Sequence, residues 1–182
     1  MRKEGEVMSE GSLKVPKHAV PVRVMMRGAR EWSGEIFLSF YSPFHEGSQG
    51  LSEFLNEPLP FLPIRFTTGE VRLVGKREVI AISVPHEVLV RHGASHEFSL
   101  VQRAEIHLVD GSMLEGDVNL AEASTPGPRL IDVLNNTSSF LSMRSGSDFL
   151  AINKDAVRWA VPLEISAEPI GGDSSQREPA HV

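Results

Sequence analysis

The chain contains no cysteine. That removes disulfides, thiol nucleophiles, cysteine-ligated zinc and iron–sulfur clusters. Aromatic residues are scarce, with two Trp, one Tyr and nine Phe among 182 residues. No stretch approaches the ~20 apolar residues that a membrane span needs. Glu4, Glu6 and Glu10 interrupt any apolar leader at the N-terminus. The expectation is a cytoplasmic protein without a membrane partner. Basic charge is also short: 18 Lys and Arg stand against 24 Asp and Glu, a net charge of −6. That balance argues against a general electrostatic grip on nucleic acid and leaves room only for a local basic patch. DNA is not an expected partner. No glycine-rich phosphate loop is present, so no nucleotide or other cofactor is expected.

What is present suits a globular protein: 41% of residues are hydrophobic and 23% charged, enough to bury a core. Residues 1–20 lack sustained periodicity, and residues 164–182 are rich in Pro, Gly, Ser and Glu. Both read as flexible tails that cannot offset their ordering entropy by burial. The tails carry +1 and −3, which leaves −4 on residues 21–163. The acidity therefore belongs mostly to the part that folds.

Residues 21–85 and 102–163 read as two copies of one pattern, joined by a linker over residues 86–101. The first copy runs from Val22-Arg-Val-Met-Met-Arg-Gly28 through Gly34-Glu-Ile-Phe-Leu and Leu51-Ser-Glu-Phe-Leu-Asn56 to Phe61-Leu62, and closes on Glu78-Val-Ile-Ala-Ile-Ser-Val-Pro85. The second runs from Glu105-Ile-His-Leu-Val-Asp-Gly111 through Gly116-Asp-Val-Asn-Leu and Leu130-Ile-Asp-Val-Leu-Asn135 to Phe140-Leu141, and closes on Asp155-Ala-Val-Arg-Trp-Ala-Val-Pro162. Each copy offers five short runs of partly alternating apolar residues, which predict strands. Five strands in so short a span suggest a small closed barrel, since closure removes exposed edges. One short helix per copy is expected at 51–56 and 130–135, where apolar residues recur at i, i+3 and i+4. Gly28, Gly34, Gly111 and Gly116 are expected to serve the turn and bend of the first hairpin. Phe61 and Phe140 occupy equivalent places and are expected in the core, as are Phe54 and Val133. The fold class expected is all-β: two tandem five-stranded SH3-like barrels.

This pattern resembles the Sm-like family of SH3-type barrels, which includes the bacterial RNA chaperone Hfq. Val109-Asp-Gly111-Ser-Met-Leu-Glu-Gly116-Asp-Val looks like the family's first hairpin, and Asn153-Lys154-Asp155-Ala156-Val157 is similar to the Tyr-Lys-His-Ala-Ile segment of Hfq. The resemblance implies a basic RNA contact at Lys154, and at Arg77 in the first copy. Rings formed as in the family would combine three such chains into six barrels. The chain departs from the family in lacking its Asp…Asn signature after the second strand. Asp155 and Glu78 stand where Hfq has histidine, and an acid beside the base weakens attraction to phosphate.

Three further features carry chemistry on paper. Leu89-Val-Arg91-His92-Gly93-Ala-Ser95 resembles the phosphate pocket of the histidine phosphatases, whose histidine becomes phosphorylated. Here it falls between two β repeats with no βαβ alternation, and reads as a linker with surface Arg91 and His92. His86, His92 and His96 could form a metal set with Glu87 and Glu97, but Gly93 lies between the i, i+4 pair and no metal is expected. Trp32 in the first hairpin, with Tyr41 and Phe44 in the long loop after the second strand, makes a candidate contact surface. The expected function is a non-catalytic interaction or assembly module whose partner is another protein or a second copy. RNA binding is the alternative, and an Arg91-His92-Gly93 phosphatase is third.

Overall fold

The computed structural model describes residues 16–28, 31–93, 98–123 and 125–163. Residues 1–15 and 164–182, together with His96 and Glu97, lie outside the described residues, whereas residues 17–20 of the expected N-terminal tail belong to the first strand, where His18 and Val20 are buried.

The chain is mostly β. Strands β1 (Lys17–Met26) and β2 (Trp32–Ser39) form the first hairpin, followed by helix α1 (Leu51–Leu55), β3 (Phe61–Phe66), β4 (Val71–Gly75) and β5 (Val79–Pro85). Helix α2 (His86–Arg91) leads into the second half: β6 (Val101–Leu108), β7 (Met113–Asn119), α3 (Leu130–Asn135), β8 (Phe140–Ser145), β9 (Asp148–Asn153) and β10 (Val157–Pro162). Single 3-10 turns at Lys76–Glu78 and Lys154–Ala156 link β4 to β5 and β9 to β10. β1 shows how the pattern makes a strand. Val20, Val22, Val24 and Met26 all face inward while Pro21 and Arg23 face water, and β-branched side chains suit a pleated, half-buried surface.

The ten strands among the described residues form one antiparallel sheet in the order β10-β6-β7-β8-β9-β5-β1-β2-β3-β4. This corrects the expectation of two closed barrels. Within each half the strands follow the order fifth, first, second, third, fourth, but hydrogen bonding closes neither half. β5 pairs with β9 of the other half instead of with β4, and β4 and β10 end the sheet.

The first-hairpin glycines divide into two kinds. Gly28 and Gly111 sit at φ of 63° and 89° with open space around them, so they serve turns that need the left-handed region. Gly34 and Gly116 have ordinary backbone angles but let the next strand come close. A Cβ on Gly34 would lie 2.7 Å from the Arg65 carbonyl oxygen, and one on Gly116 would overlap that of Arg144. β2 pairs with β3 at only two positions, and β7 with β8 likewise. Neighbouring strand backbones therefore approach closely where these two glycines sit.

Burial is organised as two cores. The first contains Val20, Val22, Ile36, Leu38, Leu51, Leu55 and Ile64, together with Phe140, Phe149 and Ala151 from the second half. The second contains Ile106, Val118, Leu130, Val133, Met143 and Ile152, together with Ile80 and Ala81 from the first half. Helices α1 and α3 each turn apolar faces inward: Leu51, Phe54 and Leu55 in α1, Leu130 and Val133 in α3. Carboxylates accept at both starts, Glu53 from the Gly50 amide at 3.3 Å and Asp132 from the Arg129 amide at 2.8 Å.

Candidate functional site

The joint between the halves shows what this sheet does at a well-made strand pairing. Ala81, Ile82, Ser83, Val84 and Pro85 lie opposite Ile152, Ala151, Leu150, Phe149 and Asp148. Alternate residues feed alternate cores: Ile82, Val84, Phe149 and Ala151 join the first, Ala81, Leu150 and Ile152 the second. Arg23 makes an ion pair with Asp148, and the Ser83 hydroxyl donates to the same carboxylate at 2.9 Å. The buried Asn153 amide donates to the Lys76 and Val79 carbonyl oxygens, both at 2.9 Å. Asn56 clasps the backbone of Phe140 from both sides, at 2.8 Å and 3.2 Å. Backbone, carboxylate and amide groups at this joint are thus satisfied, as burial demands.

The two 3-10 turns flank the joint. Val79 pairs with Met26 and Val157 with Leu108, so Lys76, not Arg77, is the geometric counterpart of Lys154. Both lysines turn inward. The Lys76 ammonium donates to the Glu57 carbonyl oxygen at 2.5 Å. That of Lys154 donates to the Val133 and Asn136 carbonyl oxygens and to Asn136 Oδ1, at 2.7, 3.1 and 2.5 Å. Each cation thereby meets the carbonyl end of a short helix. Burial pushes both ammonium groups below the ordinary lysine range, with Glu57 and Glu122 opposing the shift. Arg77 is exposed. It lines an open groove of about 870 Å³ with Leu59, Phe61, Asn153 and Asp155. Its backbone carbonyl and that of Asp155 both accept from Arg27, each at 2.8 Å.

The proposed contact surface is not one patch. Trp32 packs edge-on against Phe66, at 5.3 Å between ring centres. Tyr41 and Phe44 are exposed beyond the far end of β2, and the rest of that strand separates them from Trp32 at its start.

In the linker, Arg91 is exposed and His92 lies flat on His18, with ring centres 4.8 Å apart and planes at 6°. No group of three or more His, Cys, Asp or Glu with metal-ligand proximity occurs among the described residues. His18 is buried, meets Phe40 edge-on, and its Nε2 has no hydrogen-bond partner. Burial, with His92 beside it, holds its imidazole below the usual histidine value of 6.5. The unfolded chain then binds more protons than the folded one as pH falls through and below 6.5, so stability rises with pH across that window and is lost on acidification. Melting temperature should fall from pH 7.5 to pH 5 (on the order of the His range), and the dependence should flatten in His18→Phe. An unchanged slope in that variant would refute the assignment.

The two ends of the sheet were not anticipated as sites. Lys76 donates from its backbone to Pro60, so strand alternation sends the amides of Val71, Leu73 and Gly75 off the edge. On β10, Leu163 donates to the Arg103 carbonyl, so the Ala160 amide likewise points away from the sheet. Beside these amides lie exposed apolar side chains: Phe61 (55%), Val71 (54%) and Leu73 (71%) at one end, Trp159 (50%) and Val161 (39%) at the other. Phe61 is thus not in the core, contrary to expectation. Phe140, its counterpart, is fully buried because the first half packs over it, whereas no described residue covers the edge beside Phe61. The signal available in the sequence was the mismatch of apolar side chains on terminal strands, which becomes readable only once strand order is known.

No protein-family model, no curated protein and no solved structure matches the chain. Among the described residues no helix is long and apolar enough to cross a membrane.

Proposed function

We propose that the chain is a non-catalytic interaction and assembly module, built of two Sm-like, SH3-type five-stranded units, that engages protein partners by strand addition at its open edges. One observation carries this reading: the chain buries a strand joint between its own halves and, among the described residues, leaves two further edges with apolar side chains and outward amides. Unpaired edges of this kind are templates for another strand. The expected result is slow hydrogen exchange at the Val71 and Leu73 amides, either in the chain alone or on adding a synthetic alternating Thr-Val peptide. Fast exchange under both conditions would overturn the reading.

RNA binding is the second reading, and the exposed Arg77 in the groove at the joint favours it. The inward turn of Lys154 and the nearby Asp155 weigh against it. A filter-binding titration of short A-rich and U-rich RNA at two salt concentrations separates the two. Micromolar or tighter, salt-dependent binding that disappears in Arg77→Ala would establish RNA as the ligand.

A further inference from the structure

We propose that the face of the sheet opposite the first core binds a small amphipathic carboxylate, one anionic group on an apolar body, in a cavity whose counterpart in the second half is spanned by charged side chains. The cavity has a volume of about 560 Å³, within the range of about 300–1,000 Å³ usual for small-molecule sites. Strand alternation builds its floor. Val20, Val22 and Val24 of β1 and Ile36 and Leu38 of β2 supply the first core, so Pro21, Arg23, Ser33 and Glu35 project from the other face. Pro85 of β5 bounds the cavity on one side of β1 and β2, and the β3–β4 turn, with Phe66 and Thr67, on the other.

The two halves differ at this place. Gly34 and Gly116 fix the equivalence, because each lies against the carbonyl of an arginine on the next strand, Arg65 or Arg144. The pairings then set Pro21 and Arg103 in the same place, opposite Glu35 and Asp117. Ser33 and Glu115, each two residues earlier on its strand, also correspond. In the second half Arg103 donates to Glu115 at 2.8 and 3.1 Å and lies 3.8 Å from Asp117, which also accepts from Arg144 at 3.3 Å. Four charged side chains therefore span that surface. In the first half a proline ring and a serine hydroxyl stand where the Arg103–Glu115 pair stands. Only the outer pair remains, with Arg65 donating to Glu35 at 2.7 Å. The opening thus comes from two short side chains on a backbone that both halves share.

Charge selects the ligand. The lining carries two guanidinium groups, Arg23 and Arg65, and one carboxylate, Glu35, a positive balance in a chain of net charge −6. Glu35 is engaged by Arg65. Arg23 meets Asp148 and Ser83 through Nη2 alone, and both partners lie in a neighbouring groove with Met25, Ala81 and Leu150. Among the described residues Nε and Nη1 of Arg23 have no acceptor. A ligand carboxylate completes that fork, since a guanidinium holds a carboxylate through two parallel N–H groups. Pro21, Val22 and Pro85 offer apolar contact to the rest of the molecule. Glu31 and Asp148 in the neighbouring groove repel a second anionic group, which favours a monoanion over a polyanion. This site goes beyond strand addition, which uses the sheet's edges and not this face.

Isothermal titration of the full chain with 3-phenylpropionate and with octanoate tests the proposal, against 3-phenylpropanamide and acetate. At least one of the two amphipathic acids should bind saturably in the micromolar to millimolar range. It should bind about tenfold tighter than the amide, which keeps an apolar body and loses the charge. Acetate, which keeps the charge and loses the body, should give no saturable heat in that range. Arg23→Gln should weaken the acid about tenfold. Pro21→Arg combined with Ser33→Glu carries the second half's pair into the first and should abolish binding. Circular dichroism confirms folding, and Ser33→Phe, which fills the floor without charge, gives the same readout if the double variant does not fold. Saturable heat from neither acid, an acid that binds no tighter than the amide or acetate, wild-type affinity in Arg23→Gln, or undiminished binding in a folded, filled variant would each overturn the inference.

Discussion

Phe140→Ala is expected to destabilise the chain by about 3–5 kcal/mol, while Phe61→Ala changes stability by only about 0.5 kcal/mol. The two residues occupy the same place in the two halves, each the first residue of a third strand. Their environments differ completely. Phe140 is fully buried in the first core, held by the Asn56 amide on its backbone, and its removal opens a cavity that the sheet cannot collapse to fill. Phe61 lies at the uncovered edge. Urea unfolding measures both, and a lower midpoint at constant m-value reports stability. Equal losses at the two positions would mean that the halves do not exchange core residues as described.

Gly116→Ala is expected to cost about 3 kcal/mol, lowering the melting temperature on the order of 10 °C. The cause is steric rather than conformational, because the backbone angles of Gly116 are open to any residue. The added methyl overlaps the Arg144 carbonyl oxygen and comes within 3.1 Å of Met143 Cγ. Neither can retreat, since Met143 is fully buried and Arg144 is held in the β8–β9 ladder. Gly111→Ala makes a control: nothing lies near its Cβ, but its φ of 89° is strained for alanine, so the loss there should be about 1 kcal/mol. A Gly116→Ala chain as stable as wild type would show that β7 and β8 do not approach so closely at this glycine.

Much of the local structure was legible in the sequence. The alternation of Val20, Val22 and Val24 gives β1, and the i, i+3, i+4 spacing in Leu51–Leu55 and Leu130–Asn135 gives α1 and α3. Those signals are local, set by one strand or one turn of helix. What escaped was set by pairing between distant segments. Aligning Pro85 with Pro162 made Arg77 the counterpart of Lys154, but the prolines mark strand ends and not register. The pairings of Val79 and Val157 move the alignment by one residue and put Lys76 in that place. Similarly, nothing within Phe61–Phe66 or Phe140–Ser145 tells which phenylalanine is covered, because the cover comes from the other half. The closed-barrel expectation fails for the same reason: closure removes edges within one unit, whereas β5 and β9 protect one another across the two.

The exchange of core residues between the halves has a consequence for synthesis. The first core includes Phe140, Phe149 and Ala151, so it stays incomplete until those residues have left the ribosome, well after Pro85 has emerged. The early half must wait with part of its apolar surface uncovered, which is the condition that invites wrong strand partners and chaperone capture. Contacts so distant along the chain also close slowly, since their loops must form before burial rewards them. The two halves should therefore unfold in one transition, and a fragment ending at Pro85 should not fold by itself.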